Sequence, residues 1–156
     1  MRQLAGDRTL EGKVAIITGA GGGLGRCHAL ELARHGAKVV VNDLAEDACA
    51  QVVDEIRNGG GEATAAAGSV TDEQAVAAMV AAAIDGWGRV DILVNNAGIL
   101  RDKSFAKMDI ADFREVVDVH LMGAAICTKA VWGPMREQGH GRIVMTTSSS
   151  GLYGNF

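Results

Sequence analysis

The chain reads as a doubly wound α/β fold, a parallel sheet with helices on both faces, and three observations carry that reading. Short apolar runs alternate with longer segments of helical spacing. The runs are rich in β-branched residues without polar alternation, as strands buried on both faces are. Glycines mark the junctions: there are 21 glycines and one proline. That balance suits tight strand–helix turns rather than a disordered or collagen-like polymer.

The elements follow in order. Residues 14–18 (VAIIT) form a buried strand that ends in glycines. Residues 24–35 are helical, with Gly36 as the C-cap. Residues 38–42 (KVVVN) are a second strand, and 45–57 a helix closed by Gly59, Gly60 and Gly61. Residues 62–67 make a weaker third strand, because alanine is a poor strand former. Residues 71–85 are helical, with Thr71 as N-cap and Gln74 completing a capping box. Residues 90–95 (VDILVN) are the fourth strand. Asp109 caps a long helix that runs to about residue 138, with Pro134 near its end, and 142–147 (RIVMTT) is the fifth strand. Right-handed crossovers then give one parallel sheet. Only nine residues follow that strand, in a glycine-rich loop with no closing helix. Folds of this type continue further, so residues 1–156 are expected to be the N-terminal part of one dinucleotide-binding domain, truncated after the fifth strand.

Composition excludes several classes. The net charge is −4 and the 15 basic residues are scattered, which argues against nucleic acid as a partner. Cys27, Cys49 and Cys127 are far apart and form no C-x-x-C pair, so neither a zinc site nor a redox dithiol is expected. Reduced thiols fit a cytoplasmic protein. No uninterrupted apolar run reaches the length of a membrane span. The polar N-terminus lacks the core of a signal peptide.

Between the first strand and helix lies Thr18-Gly19-Ala20-Gly21-Gly22-Gly23-Leu24-Gly25. It matches neither G-x-G-x-x-G nor a Walker A loop. Its physics is nonetheless that of a phosphate grip: glycines let a pyrophosphate approach the backbone, and the helix N-terminus offers unpaired N–H groups and a positive dipole end. Asp43 ends the second strand, 24 residues after Gly19. A carboxylate there accepts hydrogen bonds from both hydroxyls of an adenosine ribose and repels a 2′-phosphate. Leu44 follows, with no Arg or Lys to receive such a phosphate. An alternative role for Asp43 is capping the next helix. Strand four ends in Asn95-Asn96-Ala97-Gly98, small and amide residues that let a ligand lie against backbone at the sheet rim.

Taken together, T-G-x-x-x-G-x-G, the strand-ending Asp43 and N-N-A-G resemble the short-chain dehydrogenase/reductase family over nearly the whole chain. The resemblance implies a Rossmann fold and hydride transfer between a nicotinamide cofactor, here NAD, and a carbonyl or alcohol. It implies cofactor contacts at Thr18, Gly19, Gly23, Leu24, Gly25, Asp43, Ser69, Val70, Asn95, Ala97 and Gly98. Ser69 stands where the family often has an adenine-contacting Asp. The family's catalytic Ser follows strand five and matches Ser148, with Ser149 and Ser150 as alternatives. The family's Tyr-x-x-x-Lys is not found: Tyr153 follows Ser148 too closely and no Lys comes after it, so Tyr153 reads as a loop residue. His120 stands where the family has a helix Asn, either as a member of a proton relay or as a packed helix histidine.

Residues 99–105 (ILRDKSF), His120 and 150–156 (SGLYGNF) are similar to the (3R)-hydroxyacyl-CoA dehydrogenase branch, found in type-2 multifunctional enzymes of peroxisomal β-oxidation and their bacterial relatives. That similarity implies NAD-linked oxidation of a 3-hydroxyacyl thioester. The alternative within the family is a 3-oxoacyl carrier-protein reductase, which more often uses NADPH. The other alternative is an NAD-binding chain without activity of its own. Family members form dimers or tetramers, so a homo-oligomer is expected, through helix 110–138.

Overall fold

The computed structural model describes residues 9–154. The expectations for the extreme N-terminus and for Asn155 and Phe156 lie outside them. The elements run β1 (Val14–Ile17), α1 (Gly23–Arg34), β2 (Lys38–Asp43), α2 (Glu46–Asn58), β3 (Ala63–Ala67), α3 (Glu73–Trp87), β4 (Ile92–Asn95), a 3₁₀ turn (Phe105–Lys107), α4 (Ile110–Val117), a single π-helical turn (Asp118–Met122), α5 (Gly123–Glu137), β5 (Arg142–Met145) and α6 (Ser150–Tyr153). All strand pairs are parallel, in the order β3-β2-β1-β4-β5. The order reverses between β1 and β4, so a crevice opens beyond the carboxyl ends of those two strands.

Strand periodicity sorts the core into two layers. Val14, Ile16, Val40 and Leu93 point to one face, against Val76, Met79, Val80 and Ala83 of α3 and Cys127, Val131 and Met135 of α5. Ala15, Ile17, Val39, Val41 and Val94 point to the other, against Ala29 of α1 and Cys49, Val52, Val53 and Ile56 of α2. Burial pushes the Cys127 thiol up to about 11, which makes it an inert core residue.

Several local readings are corrected. Asp72, not Thr71, caps α3: its Oδ1 accepts from the N–H groups of Gln74 (2.8 Å) and Ala75 (3.3 Å). Thr71 instead pairs its hydroxyl with that of Ser69 at 2.8 Å. A carboxylate wins that position because it also opposes the positive helix end. Gly36 lies one residue past the C-cap His35, at φ +94°. β4 and β5 are shorter than expected, starting at Ile92 and ending at Met145 respectively. The loop expected after β5 contains the one-turn α6, which includes Tyr153.

Asp109 caps α4 as expected, accepting from Ala111 N–H at 2.8 Å. The long helix is continuous from Ile110 to Glu137, 28 residues, but is broken in its winding by the π turn. Its most apolar window has a mean hydropathy of 1.2, so by length and composition alone the helix is long and apolar enough to cross a membrane. Its apolar residues are shared between two faces. Cys127, Val131 and Met135 are buried on the sheet, while Phe113, Leu121, Met122 and Trp132 are exposed.

The opposite, amino-terminal rim of the sheet is held by Asp91, whose side chain is fully buried. It accepts from Val14 N–H (3.0 Å), from Arg89 through two bonds (2.6 and 2.7 Å) and from Lys13 (3.3 Å). Burial pushes its carboxyl up, but the hydrogen bonds from Arg89, Val14 and Lys13 together outweigh this and hold it below its ordinary value of 3.8. A carboxyl depressed in the folded state contributes stability above its unfolded pKa and loses it as pH falls through the folded value. Asp91→Asn should therefore lower the unfolding free energy by about 1.5–3 kcal/mol near neutrality. Urea titrations should show the gap to wild type closing below about pH 4.

Candidate functional site

At the β1–α1 junction the chain turns sharply at Gly19, where φ is +63°. A Cβ at Gly19 would stand 2.8 Å from Ala97 Cα, and one at Gly25 would stand 2.1 Å from the Gly19 carbonyl oxygen. Both positions demand glycine, because the backbones of the turn, of α1 and of the segment after β4 are in direct contact there. Gly22 and Gly23 are different: nothing lies within 4 Å of a Cβ built on either. They keep the mouth of the turn open. α1 begins at this mouth with no side-chain cap and no acidic residue in its first turn. Its first N–H groups and dipole thus face the opening without an internal anion.

Thr18 joins the two glycine segments from below. Its side chain is buried. Its hydroxyl oxygen accepts from the N–H groups of Asn96 and Ala97, both at 3.0 Å, and the hydroxyl donates to Val94 O at 3.4 Å. Asn96 returns the link: its amide donates to Thr18 O (2.9 Å) and Gly19 O (3.1 Å). Asn96 was not singled out from the sequence, although the adjacent amides of N-N-A-G were the available signal.

Asp43 ends β2 beside the turn. One carboxylate oxygen accepts from Gly21 N–H at 2.9 Å and the other from Leu44 N–H at 2.7 Å. It makes no cap to α2, whose N-cap is Ala45 with no side-chain bond. A carboxylate offers about four acceptor sites, so two remain for a ligand. Asn42, buried next to it, donates to Ala66 O and Gly68 O at 2.8 and 3.0 Å and fixes the end of β3.

These parts line one cleft of about 410 Å³. Gly19, Gly22, Leu24 and Gly25 form one wall, Asp43 and Leu44 the next. Gly68, Ser69 and Val70 form a third, and Asn96, Ala97, Gly98 and Ile99 the far end. Of the residues expected at a cofactor, Gly19, Leu24, Gly25, Asp43, Ser69, Val70, Ala97 and Gly98 are brought together here. Thr18 and Asn95 lie beneath as buried supports, and Gly23 stands exposed beside the wall. Asn95 Nδ2 donates to Thr128 Oγ1 at 3.2 Å, tying β4 to α5. Gly22, Asn42, Leu44, Gly68, Ile99 and Val119 join the lining without having been foreseen; they are neighbours of the foreseen residues, aligned only by the fold.

Ser148 and His120 are not part of the lining. Ser148 is exposed after β5, and its hydroxyl oxygen accepts from Ser150 N–H at 3.2 Å. Tyr153 is 85 % exposed. His120 sits in the π turn and meets the backbone of Ile99, accepting from its N–H at 3.0 Å and lying 2.9 Å from its carbonyl oxygen. Among the described residues no cluster of His, Cys, Asp or Glu is arranged to hold a metal.

Comparison with known proteins agrees with this geometry. The short chain dehydrogenase family profile matches residues 13–156. The peroxisomal multifunctional enzyme type 2 of Drosophila melanogaster is 52 % identical over 97 % of this chain, which spans 26 % of that protein. A 3-oxoacyl-[acyl-carrier-protein] reductase of Synechocystis is 43 % identical over 94 % of the chain, which spans 60 % of it. A solved 7α-hydroxysteroid dehydrogenase in complex with NADH and 7-oxo glycochenodeoxycholic acid superposes with a TM-score of 0.90 at 41 % identity. That superposition covers 96 % of this chain and 58 % of the other. The chain thus spans less than two thirds of each of these proteins, and over that span it belongs to the short-chain dehydrogenase family of oxidoreductases.

Proposed function

We propose that the chain is the cofactor-binding part of an NAD-dependent dehydrogenase that moves a hydride between the nicotinamide and a 3-hydroxyacyl or 3-oxoacyl thioester. The observation that carries the cofactor reading is the continuity of the cleft. An uncapped helix N-terminus, a carboxylate with two free acceptor sites and a floor of Ala97 and Gly98 follow one another along a single trough. The glycine turn and α1 would hold the pyrophosphate, Asp43 the adenosine ribose, and Ser69 and Val70 the adenine. Bound there, the nicotinamide supplies the hydride donor or acceptor. Ser148 would polarise the substrate oxygen by donating a hydrogen bond from its hydroxyl, whose oxygen can keep accepting from Ser150 N–H.

The thioester assignment rests on the resemblance of residues 99–105, His120 and residues 150–156 to the hydroxyacyl-CoA branch, and on similarity to a multifunctional enzyme and a 3-oxoacyl reductase. The reductase direction with NADPH is the second reading, and Asp43 disfavours it. Three unpaired cysteines fit a reducing compartment such as the cytoplasm; the peroxisomal names of relatives make that organelle the alternative.

The cofactor assignment is tested by calorimetric titration with NAD and NADP. Wild type should prefer NAD, and Asp43→Ser should shift the preference toward NADP by about 1–3 kcal/mol through lost ribose hydrogen bonds and lost repulsion. NADP binding equal to NAD in the wild type would sink the role of Asp43.

The chemistry is tested with a 3-hydroxyacyl-CoA and NAD. The 156 residues contain one tyrosine and no Tyr-x-x-x-Lys. Expressed alone they should show essentially no turnover, against roughly 10 per second for an ordinary dehydrogenase. Ordinary turnover would show that another group serves as the acid–base.

We also propose self-association through the exposed apolar side of α4–α5 and the outer edge of β5. Phe113, Leu121, Met122 and Trp132 are about half exposed or more, and Val144 and Met145 stand open on a strand whose outer edge is unpaired among the described residues. Sedimentation of the 156-residue chain at micromolar concentration should show dimers or larger species; a clean monomer with a cooperative melt would refute this.

A further inference from the structure

Asn42 carries an acceptor that the fold leaves unused. The residue is 4 % exposed. Its Nδ2 donates to Ala66 O at 2.8 Å and to Gly68 O at 3.0 Å. Two carbonyl oxygens accept only from an N–H, so the amide has one orientation, with Oδ1 at the end away from both bonds. Oδ1 receives no hydrogen bond from any described residue. Among the described residues, Asn95 Oδ1 is the one unpartnered side-chain polar atom that is sealed from solvent. Asn42 Oδ1 therefore reaches solvent, and the surface that Asn42 lines is the cleft.

Its place is the corner between two walls. Asp43 follows it in the chain, and Gly68, whose carbonyl it holds, begins the wall of Gly68, Ser69 and Val70. That corner is rigid. Gly68 N–H donates to Asp43 O at 2.9 Å, and a Cβ at Gly68 would come within 2.7 Å of Ala75 Cβ. Ser69 spends its hydroxyl locally: it pairs with the Thr71 hydroxyl at 2.8 Å, and its oxygen accepts from Thr71 N–H at 3.2 Å. Asn42 thus offers a fixed acceptor beside the place where a base would follow the ribose held by Asp43.

We propose that Asn42 is a specificity-determining residue of the cleft, and that its Oδ1 reads the exocyclic amine of the cofactor's adenine. The inference rests on the nicotinamide dinucleotide assignment made above. The 6-amino group is the donor that adenine carries. Hypoxanthine has a 6-oxo group there, which sets oxygen against oxygen. Purine has a hydrogen there and leaves Oδ1 unpaired. The amide cannot turn over to suit a 6-oxo group, because turning would set its oxygen against Ala66 O and Gly68 O. A site built to hydrogen-bond a ligand group rejects the analogue that lacks it.

The test is calorimetric titration of the full chain with NADH and with its analogues in which purine or hypoxanthine replaces the adenine. NADH should bind roughly 5- to 10-fold more tightly than the purine analogue, the size of one net hydrogen bond. The hypoxanthine analogue should bind more weakly still. Asn42→Ala should bring the three affinities together. A role confined to holding Gly68 would weaken all three alike and leave their ratios unchanged, so unchanged ratios in Asn42→Ala would overturn the proposal. Should the variant fail to fold, the wild-type series decides alone. Equal binding of all three by the wild type would keep the dinucleotide assignment and overturn the role of Asn42. Binding of none would overturn the dinucleotide assignment and this inference with it.

Discussion

A buried hydroxyl sets the geometry of the cleft. Thr18 Oγ1 accepts two successive backbone N–H groups from the segment after β4, at the point where the strand order reverses. Without it, the two chain segments that diverge from β1 and β4 would have unsatisfied N–H groups in a dry place. With it, the glycine turn and the N-N-A-G segment are held together, and Asn96 locks the same junction from the other side. Gly19 and Gly25 are then required, because that closeness leaves no room for a Cβ. The open cleft exists because this junction is tight.

The fold was legible because its signals are redundant. The runs of β1, β2 and β4 are apolar and each is followed by a helix of ordinary length. Even the alanine-rich β3 was readable, since its partner β2 and the flanking glycines leave it only one place in the sheet. What escaped were choices between chemically similar neighbours. Thr71 and Asp72 both cap helices well, and only the turn geometry decides between them. The π turn leaves the helical spacing of 110–137 almost unaltered, so the sequence reads through it.

The site was legible in part, for a related reason. Glycines and the strand-ending carboxylate announce themselves by type, because few other roles need them at those places. Asn42, Asn96 and Ile99 act through backbone position or through bonds to backbone atoms. No spacing rule marks such residues; the register of three strands places them. Ser148 and His120 lie in segments whose conformation depends on long-range packing, so their types suggest chemistry while the fold decides what they touch.

Asp91 and the cleft occupy opposite rims of strands only four to six residues long, separated by roughly 13 Å at 3.3 Å per residue. Changes that far apart and without shared partners combine almost additively. The molecule is therefore modular along the strand direction. Ligand preference can drift at the carboxyl rim while the amino rim keeps the sheet anchored, and stabilising substitutions around Lys13 and Arg89 can be accumulated without retuning what the cleft accepts. For a scaffold that supports relatives with different substrates, that separation is a physical source of evolvability.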